Sequence, residues 1–336
     1  MALTTEATPV VCWPGETADA LVIYSPFTAR VHARREQLHI DTDRWIRQQG
    51  LFSRCADADE LTERFLSHRY AEVHARMWPD ADYPDLWLAN RLLTHMWCLD
   101  NFLDEIWGAD QDDRVSQVTW LIGEVFAGRT TQAQVAAEPM AAVLRELWSE
   151  AQALAPDHWL ARTAQVFLDY LAATRAERER RWSAQPVPST AEYLACRNDN
   201  GGMFYAGALI ELAGRAWLDG SLHSRPEITD LTLRLNHAMA WANDLFAYQR
   251  ESDHGNGCNL MVTLTTHDGL TESQAAARIV ELVNAELATL SFLTEAAETL
   301  PDPAARYAEG VRTTASGLLS WMAVTARYAN QAAQAR

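Results

Sequence analysis

Two short stretches hold the residue types from which metal and phosphate chemistry is built. The first is Asp100-Asn101-Phe102-Leu103-Asp104-Glu105. Asp100 and Asp104 stand four apart, so on a helix their carboxylates project from one face. Burying them beneath a Trp/Leu-rich helix is costly unless a cation or a solvent-filled cavity receives them. Oxygen ligands of this kind suit Mg2+, which keeps waters and binds through one or two carboxylates plus substrate phosphates. The same residues also suit an exposed acidic helix end, since Asp110, Asp112 and Asp113 follow. The second stretch is Asn243-Asp244-Leu245-Phe246-Ala247-Tyr248-Gln249-Arg250-Glu251. Asn243, Ala247 and Glu251 fall at i, i+4 and i+8, one stripe of a helix. In the apolar surroundings of Ala238-Met239-Ala240-Trp241-Ala242, an Asn is more often a packing group than a ligand.

Both stretches sit on predicted helices. Leu86-Trp87-Leu88, Leu92-Leu93, Met96-Trp97 and Leu99 recur at three- and four-residue spacing, which describes a largely buried helix ending at the first motif. Further helical patterns cover 113–127, 137–153 and 157–182. The run Arg175–Arg181 (RAERERR) reads as a charge-laced helix end with a solvated face. Gln185-Pro186-Val187-Pro188 marks a break, and Ser189-Thr190-Ala191-Glu192 forms a capping box that opens the next helix. That helix runs from Tyr193 to about Leu212, interrupted at Gly201-Gly202. Another spans about Pro226 to Glu251, and the polar segment Ser252–Asn259 follows as a loop. Helices at 271–298 and 303–333 close the chain. Residues 1–30, with Pro9, Pro14 and Pro26, read as an irregular lead-in, and 31–336 as a single all-α domain built as an antiparallel helical bundle.

The chain has 336 residues, 48% of them hydrophobic, with 13 Trp, so a sizeable core is easily built. Sparse Gly (15) and Pro (12) disfavour disorder and most turn-rich all-β folds. The net charge of −17 argues against a general nucleic-acid or anionic-membrane surface. All 28 basic residues are arginine, so a polyanion would have to be met by clustered arginines or metal. Five cysteines without a CxxC pair suggest neither a disulfide framework nor a zinc site. With no signal-peptide pattern and no long apolar run, the expectation is a reduced, soluble, cytoplasmic protein.

Taken together, the two stretches match a known pattern: the chain resembles the bacterial class I terpene synthases. That family carries an aspartate-rich DDxx(x)D motif, matched by Asp100 to Glu105, and an NDxxSxxxE motif, matched by Asn243 to Glu251. Its diphosphate-sensing arginine is expected about 46 residues before the second motif, where Arg197 stands. Its C-terminal Arg-Tyr pair is present as Arg327-Tyr328, following Trp321 on the last helix. The four elements occur in the family order, and the resemblance extends more loosely over residues 60–330. Two positions depart from the pattern. Asn101 replaces the usual second aspartate, and Ala247 replaces a serine or threonine whose hydroxyl would join Asn243 and Glu251 around one Mg2+.

The resemblance implies Mg2+-dependent ionisation of a linear isoprenyl diphosphate and cyclisation of the allylic cation, with diphosphate released. Farnesyl diphosphate is favoured on general frequency; geranylgeranyl diphosphate is the nearest contender and geranyl diphosphate third. Asp100 and Asp104 would hold metal on one wall, with Glu105 and Asn101 behind them, and Asn243 and Glu251 on the other. Three ions would bind with substrate, the site at Ala247 being weakened unless a water fills the vacant position. Arg197, Arg250, Arg327 and Tyr328 would bind the diphosphate. Met96, Trp97, Phe204 and Trp321 would line the pocket, where aromatic faces stabilise cations. Asn200 and Gly201 resemble the family's linker and effector positions, where a broken helix exposes a carbonyl. The Ser252–Asn259 loop is expected to order over the closed site. Homodimerisation is admitted by the resemblance. The rival readings are a non-catalytic helical binding protein on the same scaffold, which Ala247 favours, and a prenyltransferase, which would need a second aspartate-rich motif.

Overall fold

The computed structural model describes residues 8–13, 21–183, 186–253 and 258–328. Helices dominate, in the order α1 (Arg35–Gln49), α2 (Ala58–Ser67), α3 (Tyr70–Met77), α4 (Tyr83–Asn101), α5 (Asp112–Phe126), α6 (Gln132–Ala136), α7 (Pro139–Leu154), α8 (Asp157–Trp182), α9 (Thr190–Asn200), α10 (Met203–Gly214), α11 (Gly220–His223), α12 (Pro226–Asp253), α13 (Leu260–His267), α14 (Glu272–Ala297) and α15 (Asp302–Met322). The all-α architecture follows from the apolar stripes. Almost every residue of α4 from Leu86 to Asn101 is buried, as its near-continuous apolar face requires. One contiguous core links α4 to α3, α7, α10, α12, α14 and α15.

Local signals set most helix ends. The Ser189 hydroxyl accepts from the Glu192 amide (3.4 Å) while the Glu192 carboxylate accepts from the Ser189 amide (2.9 Å), the expected capping box of α9. The Gly201-Gly202 break is equally concrete. Gly202 sits at φ +69°, the left-handed region, and a Cβ there would stand 3.0 Å from the Met96 Cε.

Three expectations need correction. The lead-in is not wholly irregular: β1 (Thr8–Trp13) and β2 (Leu21–Ser25) pair antiparallel, Val10 opposite Ile23 and Val11 opposite Val22, with an irregularity at Cys12. Ile23 is fully buried, and Asn284 of α14 binds the strand through Tyr24 N (2.8 Å) and Val22 O (3.2 Å). The Leu21-Val22-Ile23-Tyr24 run, with two β-branched residues and an aromatic one, carried that signal, and the surrounding prolines masked it. The last helix ends at Met322 rather than near 333, so Arg327 and Tyr328 lie beyond it on a turn. Finally, α12 continues through Asp253; of the expected loop over the site, residues 254–257 lie outside the described residues.

Candidate active site

The two motifs face each other across one cavity enclosing about 940 Å3 of empty space, its open mouth included. Asp100 and Asp104 line it from the end of α4, Asn243, Arg250 and Glu251 from α12, Arg197 from α9, and Arg327 and Tyr328 from the C-terminal turn. The Asp100–Asp104 geometry departs from the expected α-helix. The chain winds into a π-turn over Phe102–Ile106, closed by Trp107 N to Phe102 O at 2.9 Å. Such wide turns concentrate at functional sites because they re-aim side chains.

What holds that turn is the run expected to be a solvated face. Arg178 is buried (2% exposed) and donates to the carbonyls of Leu103 (2.9 Å), Trp107 (2.5 Å) and Gly108. Arg181 donates to the Asp104 carbonyl (2.9 Å) and to its carboxylate (3.3 Å). These arginines satisfy the carbonyls that the helix end leaves without intrahelical partners. The signal was the four-residue spacing of charges on α8, which places Glu177 and Arg181 on one face with Thr174 and Tyr170 close by.

On the first wall, the Tyr170 hydroxyl donates to Asp100 Oδ1 at 2.5 Å. Burial, and then the charges of Asp100, Glu177 and Glu251, push the Asp104 carboxyl well above its ordinary value, with Arg181 opposing. Asn101 is buried and donates to the Trp97 carbonyl (2.7 Å), so its side chain does not reach the cavity. Glu105 does not orient Asp104. It crosses to α12 and accepts from Arg250, and from Arg64 at 3.3 Å.

On the second wall, Asn243 joins two of the expected diphosphate residues. Its Oδ1 accepts from Arg197 (3.0 Å) and its Nδ2 donates to the Tyr328 hydroxyl (2.6 Å). Arg197 forms a 2.8 Å ion pair with buried Asp244, which also accepts from the Tyr193 hydroxyl. Arg197 also donates to Asn200 Oδ1 (3.3 Å), and Asn200 passes a bond to Glu177 at 2.5 Å. Glu251 accepts from Asn259 (2.9 Å) and from Arg250 (3.4 Å). Ala247 is fully buried and does not reach the cavity.

Met96, Trp97, Gly201 and Trp321 line the cavity, but Phe204 does not; Met203, the first residue of α10 after the glycine break, takes that place. The rings of Trp97 and Trp321 stack at 6.0 Å and 15°, and Tyr70 lies 4.4 Å from Trp97. The sequence reading missed Tyr70, Tyr170, Thr174 and Glu177, brought to the cavity from α3 and α8, which carry no motif. It also missed Met239, one turn before the motif on α12, and Cys258, in the segment after α12.

The donor set fits a hard divalent cation. Carboxylates converge from both walls and repel one another, which the raised Asp104 records. Among the described residues no three acidic, His or Cys side chains close a metal cage by themselves. That suits an ion completed by waters and substrate phosphate oxygens.

An all-α bundle with two oxygen-donor motifs facing a ring of arginines across an aromatic cavity defines a class I terpene cyclase. Comparison with known proteins agrees. The family model for terpene synthase family 2, C-terminal metal binding, matches residues 91–289, so the chain belongs to that family. It is 27% identical over 308 residues to a 4-epi-cubebol synthase of Streptosporangium roseum, covering 90% of each chain. It is 26% identical to a (+)-T-muurolol synthase of Roseiflexus castenholzii, covering 80% of each. Among solved structures, a cucumene synthase variant superimposes with a TM-score of 0.76 at 25% identity, over 91% of this chain and 99% of the other. A linalool/nerolidol synthase of Streptomyces clavuligerus shares the fold with a TM-score of 0.76. Among the described residues, no helix is long and apolar enough to cross a membrane.

Proposed function

We propose that the protein ionises farnesyl diphosphate with Mg2+ and cyclises the resulting allylic cation to a sesquiterpene. The substrate assignment is supported by the 4-epi-cubebol and (+)-T-muurolol synthases, both described as cyclising (2E,6E)-farnesyl diphosphate. The observation that carries the site assignment is the Asn243 amide, bonded at one end to Arg197 and at the other to Tyr328. One motif side chain thereby ties the sensor arginine to Tyr328 of the C-terminal pair on one wall, opposite Asp100 and Asp104.

On this reading Asp100 and Asp104 hold metal on the α4 wall, and Asn243 and Glu251 hold it on the α12 wall. Bound Mg2+, three ions with substrate, supplies Lewis-acid stabilisation of the charge that develops on the leaving diphosphate. Arg197, Arg250 and Arg327 hydrogen-bond the diphosphate with their planar guanidinium groups, aided by the Tyr328 hydroxyl. In the form described here, Arg250 is held by Glu105 and Glu251, and Arg197 by Asp244. Arriving diphosphate competes for those guanidinium donors. The aromatic wall of Tyr70, Trp97 and Trp321 offers ring faces to the carbocation without trapping it as a nucleophile would.

The test is incubation with geranyl, farnesyl and geranylgeranyl diphosphate separately, with Mg2+ or with EDTA. Products are read by gas chromatography–mass spectrometry alongside diphosphate release. The expected result is a metal-dependent cyclic C15 product, lost in Asp100→Ala and in Glu251→Ala. A cyclic product from geranylgeranyl diphosphate alone overturns the chain length, and full activity of Asp100→Ala overturns the metal assignment.

A further inference from the structure

The arginines around the cavity are not held alike. Arg197 pairs with Asp244, Arg250 with Glu105 and Glu251, and Arg181 with Asp104 and Glu177. Arg327 differs. Among the described residues no carboxylate lies within ion-pair distance of it, and its Nη1 donates instead to the Tyr70 hydroxyl. The guanidinium also lies 5.7 Å from the centre of the Tyr70 ring.

The Tyr70 hydroxyl is itself fixed in direction. A phenol has one hydrogen to give and lone pairs to receive. The oxygen receives from Arg327, and the Asn101 amide also bonds it in the donor's sense, so its own hydrogen is left for His68 Nδ1, 3.1 Å away. Burial and the charges of Arg327, Arg250 and Arg64 keep His68 neutral, at about 3, which leaves its imidazole able to accept. Burial likewise holds the Tyr70 phenol up at about 12, so it stays uncharged.

The same corner anchors the segment that carries Arg327. Thr325 Oγ1 donates to the His68 carbonyl (3.4 Å) and accepts from the Arg327 amide (3.2 Å). Between His68 and Tyr70, Arg69 adopts φ +52°, a left-handed conformation unusual for a side-chain-bearing residue. Strained backbone of this kind persists where surrounding contacts over-determine it.

We propose that Tyr70 is a positioning residue for Arg327: the His68–Tyr70 hydrogen bond aims the guanidinium into the cavity while leaving its charge uncancelled for the incoming diphosphate. A carboxylate in the same place would orient Arg327 equally well but would neutralise it and compete with the anion. The inference rests on the reading of Arg327 as a diphosphate-binding residue.

The test is a double-mutant cycle of Tyr70→Phe and Arg327→Ala, which keeps the Tyr70 ring and removes only its hydroxyl. Two quantities are read: diphosphate release from farnesyl diphosphate, and calorimetric affinity for inorganic diphosphate with Mg2+. Losing one charge-assisted hydrogen bond predicts a roughly tenfold loss in each for Tyr70→Phe. The product distribution stays unchanged, because the ring face is kept. The double variant is no worse than Arg327→Ala alone. Penalties that multiply, or a Tyr70→Phe protein with wild-type diphosphate affinity, overturn the proposal while leaving the diphosphate role of Arg327 standing. Wild-type behaviour of Arg327→Ala removes that role and the proposal with it. If Tyr70→Phe does not fold, Thr325→Val decides, since it loosens the same corner from the other side. It is expected to weaken inorganic diphosphate binding about threefold, and unchanged binding overturns the proposal.

Discussion

At the residue scale, the two departures from the family pattern have different physical consequences. Asn101 is buried and donates to the Trp97 carbonyl, so an amide suits its site. Ala247 stands on the stripe between Asn243 and Glu251 and offers no oxygen. Ala247→Ser is therefore expected to lower the Mg2+ concentration for half-maximal turnover several-fold. An unchanged Mg2+ titration would mean that the added hydroxyl, like the buried Ala247 methyl, does not reach the cavity, or that another group already completes that site. Arg197 carries a second burden, since its removal strands buried Asp244. Breaking a buried pair from one side costs about 3–5 kcal/mol. Arg197→Ala should thus lose thermal stability as well as turnover. Arg197→Ala combined with Asp244→Ala should recover much of the melting temperature but none of the turnover, a split that calorimetry and a diphosphate-release assay would resolve.

At the element scale, the site depends on how α8 grips the end of α4. Arg178 supplies donors to three carbonyls of the π-turn and its flank, so the turn's shape is set from a neighbouring helix. Arg178→Met keeps the buried stem and removes the donors. It leaves carbonyls unsatisfied at about 1–3 kcal/mol each. The expected outcome is a lower melting temperature together with a raised Mg2+ requirement, because Asp104 sits within that turn. A destabilised protein with wild-type Mg2+ dependence would show that the turn does not set the Asp104 position. A comparable close fit joins α15 to α3. A Cβ on Gly317 would stand 2.6 Å from the Arg76 backbone, and that approach brings Trp321 and the C-terminal turn to Tyr70.

At the scale of the whole molecule, two fully buried histidines link folding to pH. Burial holds His74 and His95 down at about 4, although each keeps one hydrogen-bond partner, Asn90 Oδ1 and the Met140 carbonyl respectively. The unfolded chain takes up these protons near pH 6.5, while the folded chain resists until about pH 4. Between those values the unfolded state binds more protons, so stability falls as pH falls. The loss approaches about 3 kcal/mol per histidine by pH 4. Melting temperature is expected to drop through this window, and His95→Gln should flatten the slope by about one proton. An equal slope in that variant would assign the acid sensitivity to other groups.

Much of this protein was legible in its sequence, and the reason is locality. The apolar spacing of Leu86 to Leu99, the capping box at Ser189, the break at Gly201-Gly202 and the two metal-motif stretches are all written within a turn or two of chain. Helix periodicity and side-chain capping act over that range. The β1–β2 hairpin escaped because its strands are short and flanked by prolines, and pairing between them is not a local property. The wall residues also escaped. Tyr70, Tyr170 and Glu177 belong to no motif, and only packing of α3 on α4, and of α8 on the π-turn and α9, brings them to the cavity. The sequence determined the helices and the oxygen donors they carry. The tertiary structure decided which carboxylate each arginine is paired with, that Arg178 grips the π-turn, that Met203 rather than Phe204 faces the cavity, and that Arg327 meets a neutral hydroxyl. Those choices depend on how side chains from distant helices share one enclosed volume, where burial raises the cost of every unpaired charge.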